Sequence, residues 1–128
     1  MEQVTGIGGL FFRSRDPAGL ALWYERHLGI TPVPLTYAEM PWKQEAGPTV
    51  FAAFDAATDH FGRDQQQWMV NFRVRDLDAM VTQLRSSGLV VEVDAEIYPN
   101  GRFARVYDPE GNPVELWEPH DVPPSFQT

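Results

Sequence analysis

Residues 12–16 read Phe-Arg-Ser-Arg-Asp and residues 72–76 read Phe-Arg-Val-Arg-Asp, so the chain repeats itself at an offset of 60 residues. Each copy continues into an amphipathic helical pattern, which ends at Leu-Gly-Ile in the first copy and at Ser-Gly-Leu in the second. Repetition of a strand-to-helix unit in a short chain is typical of an internally duplicated domain. The sequence therefore predicts two related modules, at about residues 4–60 and 67–119, with a ligand site between them.

The two modules share one predicted order of elements. Asp16 and Asp76 each precede apolar residues at helical spacing and are placed to cap the helices that follow. Strands are predicted before and after each helix, including residues 6–14 and 49–54 of the first module. Each module is thus predicted to be β-α-β-β-β. The predicted fold class is α+β, with one domain over residues 1–128.

Composition limits the classes of partner. The 128 residues carry a formal net charge of −8 and a single lysine, which argues against nucleic acid or an anionic membrane as a partner. The absence of cysteine excludes disulfides, thiolate metal sites and a cysteine nucleophile. No apolar stretch approaches the ~20 residues of a membrane span, and the first residues lack a signal-peptide pattern. We therefore expect a soluble, cytoplasmic protein.

Three motifs, in order along the repeat, carry a resemblance to a known family. The first is Asp-Pro at residues 16–17 with Trp-Tyr-Glu-Arg-His-Leu-Gly at 23–29. The second is Asn-Phe-Arg-Val-Arg-Asp-Leu-Asp at 71–78, and the third is Asp-Pro-Glu-Gly-Asn-Pro-Val-Glu-Leu at 108–116. Over about residues 4–119 the chain resembles the vicinal oxygen chelate superfamily, which includes glyoxalase I, bleomycin-resistance proteins and extradiol dioxygenases. The resemblance implies paired β-α-β-β-β modules that form an open, curved mixed sheet around a central cleft, and a homodimer.

The resemblance also implies where a metal ion would be held, and most of those positions lack a ligand. The corresponding residues are Gly9, Ala53, Met69 and Glu115. Glycine and alanine offer no donor, and a methionine thioether is a poor ligand for hard cations. The histidines, among them His60 in the linker, show no ligand-like spacing and are interpreted as surface residues. We expect no cofactor, and a divalent metal held weakly by Glu115 is the less favoured alternative.

Alternation along the strands predicts which side chains face the cleft. Glu115 lies on that face and is the candidate catalytic residue. Apolar walls with a few convergent polar groups are typical of small-molecule sites, and arginines suit an anionic or carbonyl end on an aromatic or apolar ligand. The predicted ligand-binding residues are Phe11, Arg13, Asn71, Arg73, Phe103, Arg105, Tyr107 and Trp117.

Several of these residues also have a purely structural interpretation. Arg105 and Glu115 lie on neighbouring predicted strands and could form an ion pair. Arg13 and Arg73 are equivalent in the repeat and could brace the junction of the modules. The loop around Trp42 suits either a lid or a dimer contact, and no serine lies in a nucleophile-elbow motif.

Two main functions follow from these residues and the resemblance. The first is a metal-free glyoxalase/bleomycin-resistance-like protein that binds a small organic ligand in the cleft. The alternative is a glyoxalase-type lyase, isomerase or dioxygenase that uses Glu115, with a weakly held divalent metal or without metal. A non-catalytic dimeric or regulatory module is a third interpretation. The modules could pair within one chain or swap across a dimer.

Overall fold

The computed structural model describes residues 1–120, and its regular structure begins at residue 17. The second module has the predicted element order, whereas the first contributes one helix. No helix in the described part of the chain is long and apolar enough to cross a membrane. In chain order the elements are α1 (Pro17–Leu28), β1 (Val70–Arg73), α2 (Leu77–Ser86), β2 (Glu92–Val93), β3 (Gly101–Tyr107) and β4 (Pro113–Pro119).

Both helices begin at the predicted aspartate caps. The side chain of Asp16 accepts a hydrogen bond from the backbone N–H of Gly19 at 3.1 Å, and that of Asp76 accepts one from Ala79 at 3.0 Å. Each bond satisfies an N–H group that the first turn of a helix leaves without a partner. After α1, Gly29 takes the left-handed conformation (φ 73°), which glycine adopts without the steric cost of a Cβ atom.

The four strands form one open mixed sheet in the order β1-β4-β3-β2, with β1 and β4 parallel and the other pairs antiparallel. The β3–β4 turn is closed by Asp108, whose Oδ1 accepts from the N–H groups of Glu110 and Asn112 at 2.9 and 3.0 Å. Tyr24 of α1 donates its hydroxyl to Asp108 Oδ2 at 2.7 Å, which ties α1 to the hairpin. Burial and this bond raise the pKa of Tyr24 above its usual value.

The apolar core lies on one face of the sheet. Leu77 and Leu84 of α2 and Val114 and Leu116 of β4 are at most 1% exposed. Burying each such side chain contributes about 1.5–3 kcal/mol. Neither helix covers the opposite face, which we call the uncovered face. The buried cluster consists of Leu20, Tyr24, Leu77, Val81, Leu84, Val91, Ala104, Val106, Val114 and Leu116.

The strands predicted at residues 6–14 and 49–54 are not formed, so the two-module architecture is not confirmed. Both segments lie outside the sheet, and Phe11 and Phe51 are 94% and 92% exposed. A strand needs a neighbour for its backbone N–H and C=O groups, and every strand of the described chain comes from residues 70–119. Three glycines between residues 6 and 9 also lower the strand propensity of the first segment. The repeat at offset 60 therefore yields a second capped helix but not a second sheet.

Candidate functional site

The uncovered face carries two adjacent rows of side chains, which the register of the ladder places on the same side of the sheet. The polar row consists of successive cross-strand partners, Glu92, Arg105, Glu115 and Asn71. The aromatic row lies two residues away on each strand, toward the end of β1 and β4 and the start of β3. It consists of Phe103, Trp117 and Arg73.

Phe103 and Trp117 form a flat wall in the aromatic row. Their rings stack with 3° between the planes and 6.2 Å between the centroids, and Tyr98 meets Phe103 edge-on at 5.7 Å. Trp117 is 6% exposed, and its indole N–H donates to the backbone oxygen of Asn100 at 2.8 Å. Because the indole is held by both its ring face and its N–H, the half-buried Phe103 lies on an ordered apolar support.

Glu115 is the centre of the polar row. Its Oε1 accepts a hydrogen bond from Asn71 Nδ2 at 2.8 Å, and its Oε2 lies 3.4 Å from Nε2 of His60. The side chain is 17% exposed, and each carboxylate oxygen has a polar partner. The Asn71 amide orients the carboxylate without neutralising it. Nε2 of His60 can donate to the other oxygen only when that nitrogen carries a hydrogen.

Arg105 does not form the expected ion pair with Glu115, although the two residues are cross-strand partners. The ion pairs found among residues 1–120 do not join these two side chains. Nη2 of Arg105 instead donates to the backbone oxygen of His60 at 2.8 Å and lies 3.4 Å from the sulfur of Met69. The ion-pair interpretation is therefore wrong. The guanidinium, which has five N–H donors in all, retains others for a ligand.

An open cavity of about 270 Å³ lies on the uncovered face. The Tyr98 hydroxyl donates to Asp94 at the rim at 3.0 Å, and this bond, together with the nearby Glu96 carboxylate, raises the pKa of Tyr98 to about 12. Because the cavity has three carboxylates and one guanidinium, its potential favours a neutral ligand over a full anion. The polar and aromatic groups that line it are His60, Glu92, Asp94, Phe103, Arg105 and Glu115.

A second cavity, of about 320 Å³, lies at the start of α1. Glu110, one of two carboxylates that line it, accepts hydrogen bonds from Ser14 Oγ at 2.6 Å and from the backbone N–H groups of Arg15 and Asp16 at 2.8 and 3.2 Å. These bonds, the Ser14 bond above all, hold the pKa of Glu110 below its usual value. Glu110 therefore docks α1 onto the β3–β4 turn, which is a structural role.

The structure brings most of the predicted cleft residues to one face but leaves two of them elsewhere. Phe11 and Arg13 are exposed, because their segment does not join the sheet. Arg73 donates to the backbone oxygen of Glu45 at 2.9 Å, so it braces residues 45–47 against β1. Of the predicted arginines, Arg105 lines the cavity. A ligand-binding role for the predicted cleft residues stays a prediction. The residues that share the uncovered face are Asn71, Arg73, Phe103, Arg105, Tyr107, Glu115 and Trp117.

Three residues of the cavity, Glu92, Asp94 and His60, were not among the predicted cleft residues, and His60 was interpreted as a surface residue. Its imidazole stacks on Phe54 with 17° between the rings and 5.2 Å between the centroids. Phe61 in turn packs on Phe54. Its side chain and its backbone oxygen both contact the polar row. The flanking aromatic residues are the only sequence signal for this position, since the path of the linker depends on tertiary packing.

The donors present do not fit a resident divalent metal ion. Among residues 1–120, no group of three or more His, Asp or Glu side chains is placed to hold an ion. Met69 has the guanidinium of Arg105 against its sulfur, and that fixed positive charge repels a cation. Gly9 and Ala53 lie in the two segments that do not join the sheet.

Comparison with known families identifies the chain. Residues 9–117 match the sequence profile of the glyoxalase-like domain. Because this match covers most of the chain, the protein belongs to the glyoxalase-like domain family, and the resemblance to glyoxalases and bleomycin-resistance proteins is confirmed. Among curated proteins, none matches the chain significantly.

The chain is also similar to several solved structures. A glyoxalase family protein from Bacillus anthracis is 16% identical over 92% of this chain and 100% of its own, with a TM-score of 0.54, which shows the fold alone. TnmS3, an antibiotic-binding protein from Streptomyces sp. CB03234, is 30% identical over 43% of this chain and 46% of its own, with a TM-score of 0.39. A glyoxalase/bleomycin resistance protein from the same organism is 30% identical over 41% of this chain and 46% of its own, with a TM-score of 0.37. The chain thus spans less than half the length of the two Streptomyces proteins.

Proposed function

We propose that this glyoxalase-like protein binds a small organic molecule on the uncovered face without using a metal ion. The observation that carries the proposal is the ring of Phe103, stacked on the buried Trp117, beside the guanidinium of Arg105 in the cavity. The wall suits an aromatic or apolar body, and the guanidinium suits an oxygen acceptor at its end. The likeness to TnmS3, an antibiotic-binding protein, supports the same class of ligand.

The charges around the cavity limit which polar group the ligand can carry. Arg105 is surrounded by Glu92, Asp94 and Glu115, while Arg73 is engaged with the backbone oxygen of Glu45. A full carboxylate on the ligand would therefore meet more negative than positive charge. We expect a neutral compound with a carbonyl oxygen, in which the guanidinium binds the oxygen without having to neutralise a charge.

A ligand screen followed by calorimetry tests the proposal. Native mass spectrometry in the presence of EDTA would find compounds that bind without metal, and because TnmS3 binds an antibiotic, antibiotics belong in the screen. We expect Arg105→Gln to weaken binding about tenfold or more, the usual effect of losing a hydrogen bond to a charged group. Phe103→Leu should weaken it as well. Arg26→Gln removes the same charge from the exposed side of α1 and is the matched control. Equal affinity in all four proteins would refute the assigned site.

A second candidate function is favoured by the 3.4 Å contact between His60 Nε2 and Glu115 Oε2. A carbonyl compound with its oxygen at Arg105 could lose an α-hydrogen to the Glu115 carboxylate, and the guanidinium would stabilise the enolate oxygen that forms. This arrangement suits a metal-free isomerase or lyase. The test is NMR of a bound carbonyl compound in D2O. Exchange of its α-hydrogen should require the wild-type protein and stop in Glu115→Gln, and exchange at the uncatalysed rate with wild type would leave only the binding function.

A further inference from the structure

Met69 and Glu115 are the two positions on the uncovered face at which metal-using relatives are expected to hold a cation. In this chain a guanidinium reaches that place. We infer that Arg105 stands in place of a metal ion: its fixed charge excludes a divalent ion, and it is the cation that binds the oxygen of the ligand. The ligand-binding half of the inference rests on the proposed function. The metal-excluding half does not.

The guanidinium of Arg105 is held in this position by its neighbours. Nη2 lies 2.8 Å from the backbone oxygen of His60 and 3.4 Å from the sulfur of Met69. Register places Arg105 directly opposite Glu115, and the residue is half-buried. A side chain fixed by a carbonyl on one side and a thioether on another does not swing freely into solvent. Its charge is therefore a permanent part of the site.

The chemistry of the guanidinium suits both roles. The guanidinium of an arginine carries its own positive charge, so the site needs no metal ion to supply one. A divalent ion bound beside it would be repelled at short range, and the Met69 thioether offers a hard cation nothing in return. The contacts described above involve Nη2, whereas the N–H groups of Nε and Nη1 can donate to an oxygen of the ligand.

The competing interpretation is that Arg105 is only a clamp that holds the linker at His60. A clamp and a stand-in cation differ in one measurable respect. Removing a clamp lowers stability but leaves the affinity for metal ions unchanged. Removing a stand-in cation makes room for a metal ion once a second donor is supplied.

Calorimetric titration with Ni²⁺ alone distinguishes the two. Met69→His supplies an imidazole at the position whose side chain contacts Arg105, the cross-strand partner of Glu115, and His60, 3.4 Å from Glu115, can add a third donor. We expect the wild type to show no one-to-one binding. The double variant Met69→His/Arg105→Gln should bind one Ni²⁺ at least tenfold more tightly than Met69→His/Arg26→Gln, which has the same net charge. Thermal unfolding with and without EDTA provides a second readout, because a bound ion stabilises the native state.

Two results would overturn the inference. One is equal Ni²⁺ affinity in the two double variants, and the other is one-to-one binding by the wild type tighter than micromolar. Arg105→Met, which preserves much of the apolar stem, replaces Arg105→Gln if the glutamine variant does not fold, and its titration is interpreted in the same way. A screen that finds no ligand would count against the proposed function but would not affect this metal titration.

Discussion

Single side chains determine what the uncovered face can bind. Both carboxylate oxygens of Glu115 have a polar partner, because the Asn71 amide donates to one and His60 approaches the other. Arg105 faces it across the ladder, yet its Nη2 bonds to the linker rather than to the carboxylate. The acid and the cation of the site are therefore both ordered, and neither is cancelled by the other.

Glu115→Gln separates the charge of this residue from its packing. Glutamine preserves the acceptor for Asn71 and removes the negative charge, so we expect the free energy of unfolding to change by less than about 1 kcal/mol. Any proton exchange catalysed by the protein should be abolished. Urea denaturation and the D2O experiment measure the two effects. A large loss of stability would indicate that Glu115 is a structural residue.

Glu110→Gln tests the docking of α1 through its dependence on pH. The folded state holds the pKa of Glu110 below the ordinary 4.5, so the carboxylate stabilises the fold above that pH and loses its effect as the pH falls through the lower folded value. We expect Glu110→Gln to lower the melting temperature at pH 7 and to approach the wild type in acid. Glu25→Gln, on the exposed side of α1, is the control. A destabilisation that is the same at pH 7 and in acid would contradict the assignment.

The helices and strands show which local patterns were sufficient to predict structure. The caps at Asp16 and Asp76 are local, since each aspartate bonds to an N–H three residues later, and both were predicted correctly. Strands depend on partners far away in sequence. Residues 70–73 have an alternating pattern and pair with β4. Residues 6–14 have a similar pattern but pair with no strand in the described chain. Sequence similarity alone could not reveal that difference.

Leu84→Ala measures the packing of α2 against the sheet. The side chain is 1% exposed, and its loss should cost about 2–5 kcal/mol, because the cavity adds to the lost transfer free energy. Leu22→Ala removes the same atoms from an exposed position on α1 and should change stability by less than about 0.5 kcal/mol. Chemical denaturation measures both variants. Similar losses in the two would place the core elsewhere.

Only the site residues that lie on regular strands could be predicted, because strand alternation determines which face their side chains occupy. Alternation placed Phe103, Arg105, Glu115 and Trp117 on one face, as the register confirms. It could not reveal that His60 contacts this face, because the linker has no regular period. It also could not reveal which arginine lines the cavity, since that depends on where each long side chain finds an acceptor.

The molecule as a whole leaves much apolar surface in the first module exposed. Val4, Ile7, Val50 and Phe51 are all exposed, and exposed apolar patches mark interaction surfaces. Together with the family resemblance, this favours the homodimer, in which first-module strands could find partners on a second copy. Trp42 packs edge-on against Phe72 at 6.3 Å. This contact is compatible with either role predicted for its loop, a lid or a dimer contact.

Light scattering tests the homodimer. At micromolar concentration we expect twice the chain mass of 14.5 kDa. Phe51→Asp should shift the equilibrium toward the monomer, because it puts a charge into the apolar surface that a partner would bury. Phe51 lies outside the sheet, so the variant should fold. A monomer mass for the wild type would contradict the prediction.

The most direct test of a metal-free ligand site on the uncovered face is NMR of the ¹⁵N-labelled protein with EDTA and a ligand from the screen. We expect the largest shifts at the backbone amides of Phe103, Arg105, Glu115 and Trp117. Shifts centred on Glu110 and the start of α1 would contradict this account, and so would binding that appears only after a divalent metal is added.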